Sequence, residues 1–266
     1  MPSDGSGAAL VLQDVSHVYE DGTRALDGVE LQLEAGELVA LVGPSGCGKS
    51  TLLSIAAGLL RPSTGRVLWQ GRDVTGQTGR FGYMLQKDLL LPWRTVLGNV
   101  LLGRRLSGRG PREHEARALL ARHGLGAFAD HYPHALSGGM RQRVALLRTL
   151  AFGRDVLLLD EPFGALDDQT RLLSQAFLLE LWALERATVL LVTHDLDEAI
   201  FLADRVLVSS ARPGRILREL RVPLARPRAA EIVTSDAFAA AKRELFAVLH
   251  AEALRAARGE EPSLTP

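Results

Sequence analysis

Gly43-Pro44-Ser45-Gly46-Cys47-Gly48-Lys49-Ser50 decides how this 266-residue chain is read. The stretch matches G-x-x-x-x-G-K-[S/T] and lies between an apolar run of strand length, Leu38–Val42, and a helical pattern extending to about Leu59. Glycines let successive backbone N–H groups turn inward around phosphate oxygens, and the helix N-terminus adds its dipole. Lys49 then brings a point charge to the β/γ-phosphates, and Ser50 a hydroxyl to Mg²⁺. A chance glycine turn is a poor rival, because the chain's own residue frequencies give roughly 0.003 such matches. Of the 31 basic residues only Lys49, Lys87 and Lys242 are lysines. A compact ammonium enters a ring of backbone amides where a planar guanidinium fits badly, so Lys49 stands out in an arginine-rich chain.

Outward from the loop, further apolar runs of strand length alternate with helical patterns, at Val156–Leu159 and Thr188–Val192. That alternation predicts an α/β fold with a mainly parallel sheet, whose ligands sit outside the carboxyl ends of the strands. Two acids, Asp160 and Glu161, follow the first of these runs. Behind a phosphate loop they acquire roles: Asp160 to hold Mg²⁺ through water, Glu161 to polarise the attacking water. Leu136-Ser137-Gly138-Gly139-Met140-Arg141-Gln142-Arg143 opens another helix, with Ser137 standing 88 residues beyond Lys49, and is a second potential anion site, although alone it reads as an ordinary helix cap.

Before the loop, Leu10–Tyr19 and Leu26–Glu34 alternate around Asp21-Gly22 as an antiparallel hairpin. Residues 87–150 carry helical stretches at Thr95–Leu102, Pro111–His123 and Met140–Leu150 and are expected to form a helical insert. Asp168–Arg186 reads as a long helix with Leu172, Leu173, Ala176, Leu179 and Ala183 on its apolar face. The domain boundaries expected are a disordered N-terminus over 1–8, a main domain over 9–210, an extension over 211–258 with a strand and a helix, and a frayed tail over 259–266. The last helix, with Phe238, Leu245, Leu249 and Leu254, would pack on its own domain, on a permease or on a partner.

The 31 basic and 31 acidic side chains balance, which argues against nucleic acid as a partner and against a basic membrane-surface protein. No apolar run reaches the length of a membrane span, and the first residues lack the pattern of a secretory signal, so a cytoplasmic location is expected. One cysteine, Cys47, excludes an intrachain disulfide. It reads either as a thiol activated by the helix N-terminus or as a small loop residue.

These motifs in this order resemble the ATP-binding cassette of ABC transporters over about Val11–Val208, with Leu136–Arg143 as the signature. The resemblance implies a P-loop NTPase core with a mainly parallel sheet, a flanking antiparallel β subdomain, and a helical insert carrying the signature. It implies ATP and Mg²⁺ as cofactors, with Tyr19 stacking on adenine and Gly43, Pro44, Ser45, Gly46, Cys47, Gly48, Lys49, Ser50 and Thr51 around the phosphates. Gln86 becomes the Q-loop glutamine that joins Ser50 and Asp160 at Mg²⁺, Asp167 the D-loop acid, and His194 the switch histidine acting with Glu161. It also implies a head-to-tail homodimer in which Ser137, Gly138, Gly139 and Gln142 of one copy close over ATP held by the other.

Further partners implied are transmembrane permease subunits and, indirectly, an extracytoplasmic solute-binding protein. The cassette would therefore sit peripherally on the cytoplasmic face of the membrane. The run Leu91-Pro92-Trp93-Arg94-Thr95-Val96, with Ser210–Ile216 downstream, is similar to importers of nitrate, taurine and aliphatic sulfonates. Trp93 reads as a docking residue or as packing within the insert. Leu85, Leu147 and Thr149 depart from common family residues and loosen the subgroup rather than the chemistry. Importers of pyrimidine thiamine precursors, exporters, and soluble cassettes that act on no membrane are the alternatives.

Overall fold

The structure is a computed structural model that describes residues 8–106, 110, 112–152 and 155–258. Of the N-terminus expected to be disordered over 1–8, residues 1–7 lie outside the described residues, as do Pro111 and the tail expected to fray over 259–266; Ala8 is ordered instead, because it is buried as the first residue of a strand. Along the chain come β1 (Ala8–Val18), β2 (Arg24–Glu34), β3 (Leu38–Val42), α1 (Lys49–Ala56), β4 (Thr64–Trp69) and β5 (Arg72–Asp73). Then follow β6 (Gly82–Met84), α2 (Val96–Leu106), α3 (Glu113–Arg122), α4 (Gly138–Ala151), β7 (Val156–Asp160) and α5 (Asp168–Glu185). The chain closes with β8 (Thr188–Val192), α6 (Leu196–Leu202), β9 (Arg205–Ser209), β10 (Ile216–Arg221) and α7 (Asp236–Ala257).

Two compact units share this order, one made of residues 1–80 and 186–266, the other of 81–185. In the first, β3 lies between β9 and β8 and is parallel to both, while β10 pairs antiparallel with β9. All five residues of β3 are buried, as are all five of β8. A strand covered on both faces has no polar side, so it reads as a continuous apolar run. Each large apolar side chain so placed contributes about 1.5–3 kcal/mol of burial. A separate antiparallel sheet, in the order β2-β1-β4-β5, flanks it. Strand β2 is exposed on one face, and its burial alternates as its sequence does. The fold is thus α/β with parallel strands, an antiparallel β subdomain and helical elements.

The second unit holds the parallel pair β6 and β7 together with α2, α3, α4 and α5. It runs wider than the helical stretch expected over 87–150, because strands and α5 belong to the same compact body. One expectation needs correction. On α5 the buried face is built by Phe177, Leu178, Leu181 and Trp182 along with Leu179, whereas Leu173 is 55% exposed. The helix is apolar on more than one side, so period alone could not select the inward stripe, and the larger aromatic side chains took it. Helix α7 buries Phe238 and Leu245 but leaves Leu254 exposed. Its Lys242 Nζ bonds Asp197 Oδ2 of α6 at 2.8 Å, so it packs on its own unit. No helix among the described residues is long and apolar enough to cross a membrane.

Candidate nucleotide site

In the first unit β3 delivers the chain directly into the 43–48 loop. Gly48 caps α1 with φ +105°, a left-handed conformation that favours glycine, and supplies no side chain to the helix N-terminus. No acid stands in the first turn of α1 and Gly48 gives no side-chain cap, so the dipole at that N-terminus favours an anion. Lys49 is only 8% exposed. Its Nζ donates to the carbonyls of Gly43 (2.7 Å) and Pro44 (2.8 Å), and the Cys47 Sγ lies 3.7 Å away. The ammonium thus sits inside its own loop, where phosphate oxygens would meet it. Cys47 is 1% exposed, which favours the small packed residue over the reactive thiol.

Tyr19 follows β1 and is 42% exposed, its ring edge-on to His17 at 4.7 Å between centroids. Its hydroxyl and that of Thr51 are 2.9 Å apart, so the aromatic platform is tied to α1 one turn beyond the phosphate loop. Ser45, Gly46 and Ser50 are exposed around it. His194 is also exposed, in the turn between β8 and α6. Behind it Asp195 caps α6 by accepting from the N–H groups of Asp197 (2.9 Å) and Glu198 (3.2 Å).

The remaining expected residues belong to the second unit. Asp160 ends β7 and is buried. Glu161 follows with φ +45°, a strained conformation for a non-glycine residue that costs on the order of 1–3 kcal/mol. Its Oε2 accepts from Gln86 Nε2 at 3.2 Å, uniting two residues 75 positions apart. Ser137 caps α4, its Oγ accepting from the Met140 N–H at 3.3 Å. Gly138 is exposed beside it. At Gly139 a Cβ would stand 2.4 Å from Thr170 Cγ2, so only glycine lets α4 pass α5 this closely. Gln142 is buried, and its amide donates to the Pro162 carbonyl. This ties the signature helix to the turn beyond Glu161. Asp167 accepts from the Thr170 N–H at 3.0 Å, and that bond holds its carboxyl below the usual carboxylate range.

Sequence reasoning passed over the residues that build the loop after Gln86. Asn99 is fully buried in α2. Its amide donates to the carbonyls of Leu91, Arg94 and Thr95, and its Oδ1 accepts from the Leu91 N–H at 2.8 Å. Trp93 projects from that stitched loop at 71% exposure. From α4, Arg148 donates to the carbonyls of Leu89 (2.7 Å) and Asp88 (2.6 Å), and Arg141 pairs with the Asp88 carboxylate at 3.2 Å. Burial lowers the pKa of Arg148. A single asparagine in an otherwise apolar helical run was the one available signal for this frame.

The oxygen donors expected at Mg²⁺, namely the Ser50 hydroxyl, the Gln86 amide and the Asp160 carboxylate, are the hard ligands that this ion takes alongside water and phosphate. Known proteins agree with the reading. The family model described as ABC transporter matches residues 26–164. An uncharacterized ABC transporter ATP-binding protein of Methanocaldococcus jannaschii is 44% identical over 251 residues, which is 92% of this chain and 93% of the relative. A taurine import ATP-binding protein of Rhizobium johnstonii is 44% identical over 248 residues, 90% of this chain and 94% of the relative. Among solved structures, a dimeric ATP-binding cassette bound to ADP and Pi in a post-hydrolysis state superimposes with a TM-score of 0.70 at 32% identity, covering 81% of this chain and all of that one. On this family match, these relatives and the shared cassette fold, the chain belongs to the ABC transporter family as an ATP-binding, ATP-hydrolysing cassette.

Proposed function

We propose that this cassette powers the import of a small solute of the taurine, sulfonate or nitrate class. Two copies pair head to tail on a membrane permease, at its cytoplasmic face, and a solute-binding protein delivers cargo from the other side. In this reading Lys49, the loop 43–48 and Thr51 hold ATP, Tyr19 stacks on adenine, and Ser137, Gly138 and Gly139 reach the γ-phosphate held by the partner copy. Ser50, Asp160 and Gln86 would hold Mg²⁺, which would supply charge neutralisation at the phosphates. Glu161 accepts a proton from the attacking water, and His194 orients that water against the γ-phosphate. Asp167 and Gln142 work from behind, one at the start of α5 and the other on the signature helix.

The observation that carries the coupling to transport is the frame around residues 86–99. Gln86 touches Glu161, while the loop that continues from Gln86 is bolted by Arg141 and Arg148 to the signature helix and by Asn99 to α2. Trp93 stands exposed at its tip. A nucleotide-sensing residue and a large apolar side chain thus share one rigid loop, which is how a docking surface would follow the chemistry. The named taurine importers among the relatives support the solute class.

Reconstitution with the permease in proteoliposomes tests this. Trp93→Ala should lower ATP-driven taurine or sulfonate uptake by roughly tenfold, the loss of an interface anchor, while the isolated subunit keeps its ATPase rate. Unchanged uptake would remove Trp93 from the docking surface. Uptake of none of these solutes by the parent complex would refute the solute class.

A further inference from the structure

The turn at 210–215 stands where the main domain passes into the extension expected over 211–258, yet it lies against the 43–48 loop. Arg212 Nε donates to the Gly46 carbonyl at 3.0 Å, across 166 residues of sequence. A Cβ on Gly46 would come within 3.1 Å of the same guanidinium, so the contact is close on both sides of that residue. Two residues on, a Cβ on Gly214 would stand 2.3 Å from the Cys47 carbonyl, so the turn backbone packs directly on the loop backbone.

The turn is itself held firmly. Ser210 is fully buried; its Oγ donates toward the carbonyls of Ala211 (2.7 Å) and Pro213 (2.8 Å) and accepts from the Arg215 N–H at 2.9 Å. The Gly214 N–H donates to Ala25 O at 2.9 Å, and the Asp27 N–H donates to Gly214 O at 3.1 Å. From α7, the buried Glu252 accepts the Ala211 N–H at 2.9 Å. Arg212 also places its charge near Asp21 in the turn after Tyr19. The Asp21 carboxyl is held below its ordinary range chiefly by hydrogen bonds from Thr23, with Arg212 the smallest contributor.

We propose that this turn is a brace for nucleotide binding, and that Arg212 is a positioning residue that fixes the Gly46 carbonyl so that the 43–48 backbone amides face inward. The proposal rests on the reading of 43–51 as the nucleotide site. A loop that must present a ring of N–H groups to phosphate loses affinity when its peptides rotate, and a guanidinium bonded to one carbonyl from outside opposes that rotation. Helix α7 then reaches the nucleotide through Glu252, Ala211 and Arg212 without touching it.

Calorimetric titration of the full chain with MgADP, which avoids turnover, tests the brace. Arg212→Ala should weaken ADP binding by about three- to tenfold, the loss of one charge-assisted bond at an exposed site, with little change in the melting temperature of the nucleotide-free chain. Arg212→Lys, which keeps a cationic donor within reach of Gly46, should recover most of the affinity. Parental affinity in Arg212→Ala would overturn the proposal, as would a failure of lysine to rescue or a weakening matched by a fall in nucleotide-free melting temperature. Lys49→Ala serves as the control. If that variant also binds ADP as the parent does, the nucleotide-site reading fails rather than the brace.

Discussion

The loops at 43–50 and 86–99, which the proposed cycle joins, are built in opposite ways. The first is held at its own backbone: glycines at left-handed φ, Lys49 folded onto the loop's own carbonyls, and the 210–215 turn, with Arg212 on the Gly46 carbonyl, pressed against it. The second is held by side chains, with Asn99 inside and Arg141 and Arg148 outside. A loop that must match phosphate oxygens needs its amides in one arrangement, and backbone restraints deliver that. A loop that must relay occupancy to a surface needs ties to other elements, and long side chains deliver those.

The largest effect expected from breaking this division is at Glu161, which is proposed to do chemistry without holding nucleotide. Glu161→Gln should lose on the order of 10²–10⁴-fold in turnover, the contribution of a general base, while ATP affinity stays near that of the parent. Single-turnover hydrolysis and equilibrium binding measured on the same preparation separate the two, and near-native hydrolysis would refute the role. Next comes Asn99→Ala, which takes from the part-buried Leu91 N–H its acceptor and from the Arg94 carbonyl its side-chain donor, and should destabilise the protein by about 1–3 kcal/mol in urea unfolding. Because the first loop does not depend on Asn99, ADP affinity should hold; a parallel loss of affinity would mean the two loops are not separately built.

The smallest effect lies away from both loops. His123, edge-on to Phe177 in the second unit, has its pKa lowered by burial. Its neutral form is favoured by folding, so the stability it contributes is present above the unfolded value near 6.5 and is lost as pH falls through the lower folded value. The melting temperature should therefore drop between pH 7.5 and 5.5 by more in the parent than in His123→Phe, with nucleotide affinity unaffected by the substitution at either pH. An equal drop in both proteins would clear His123 of the effect.

Much of the fold was legible because its strands are apolar runs with local punctuation. Strands β3 and β8 were expected at the bounds observed, and the β1–β2 hairpin within two residues. What escaped is short or exposed. Strand β6 has three residues and β5 two, β4 is exposed over its first three positions, and α6 has seven residues. Such elements form through pairing with neighbours, as β4 does with β1, and carry too little period to be seen alone. The site divides the same way. Lys49 and Ser137 announce themselves by glycine spacing, whereas nothing in local pattern shows that Gln142 bonds the Pro162 carbonyl.

By itself, the sequence determined the phosphate loop, the strand that feeds it and the family, because a loop shaped by backbone amides demands glycines and one lysine at set intervals. Only tertiary structure decided that Gln86 meets Glu161, that Asn99 and Arg148 frame the Trp93 loop, and that Arg212 leans on Gly46. Those ties join side chains to partners up to 166 residues away. Nothing periodic marks them, since a hydrogen bond between distant residues leaves its trace in space and none in local pattern.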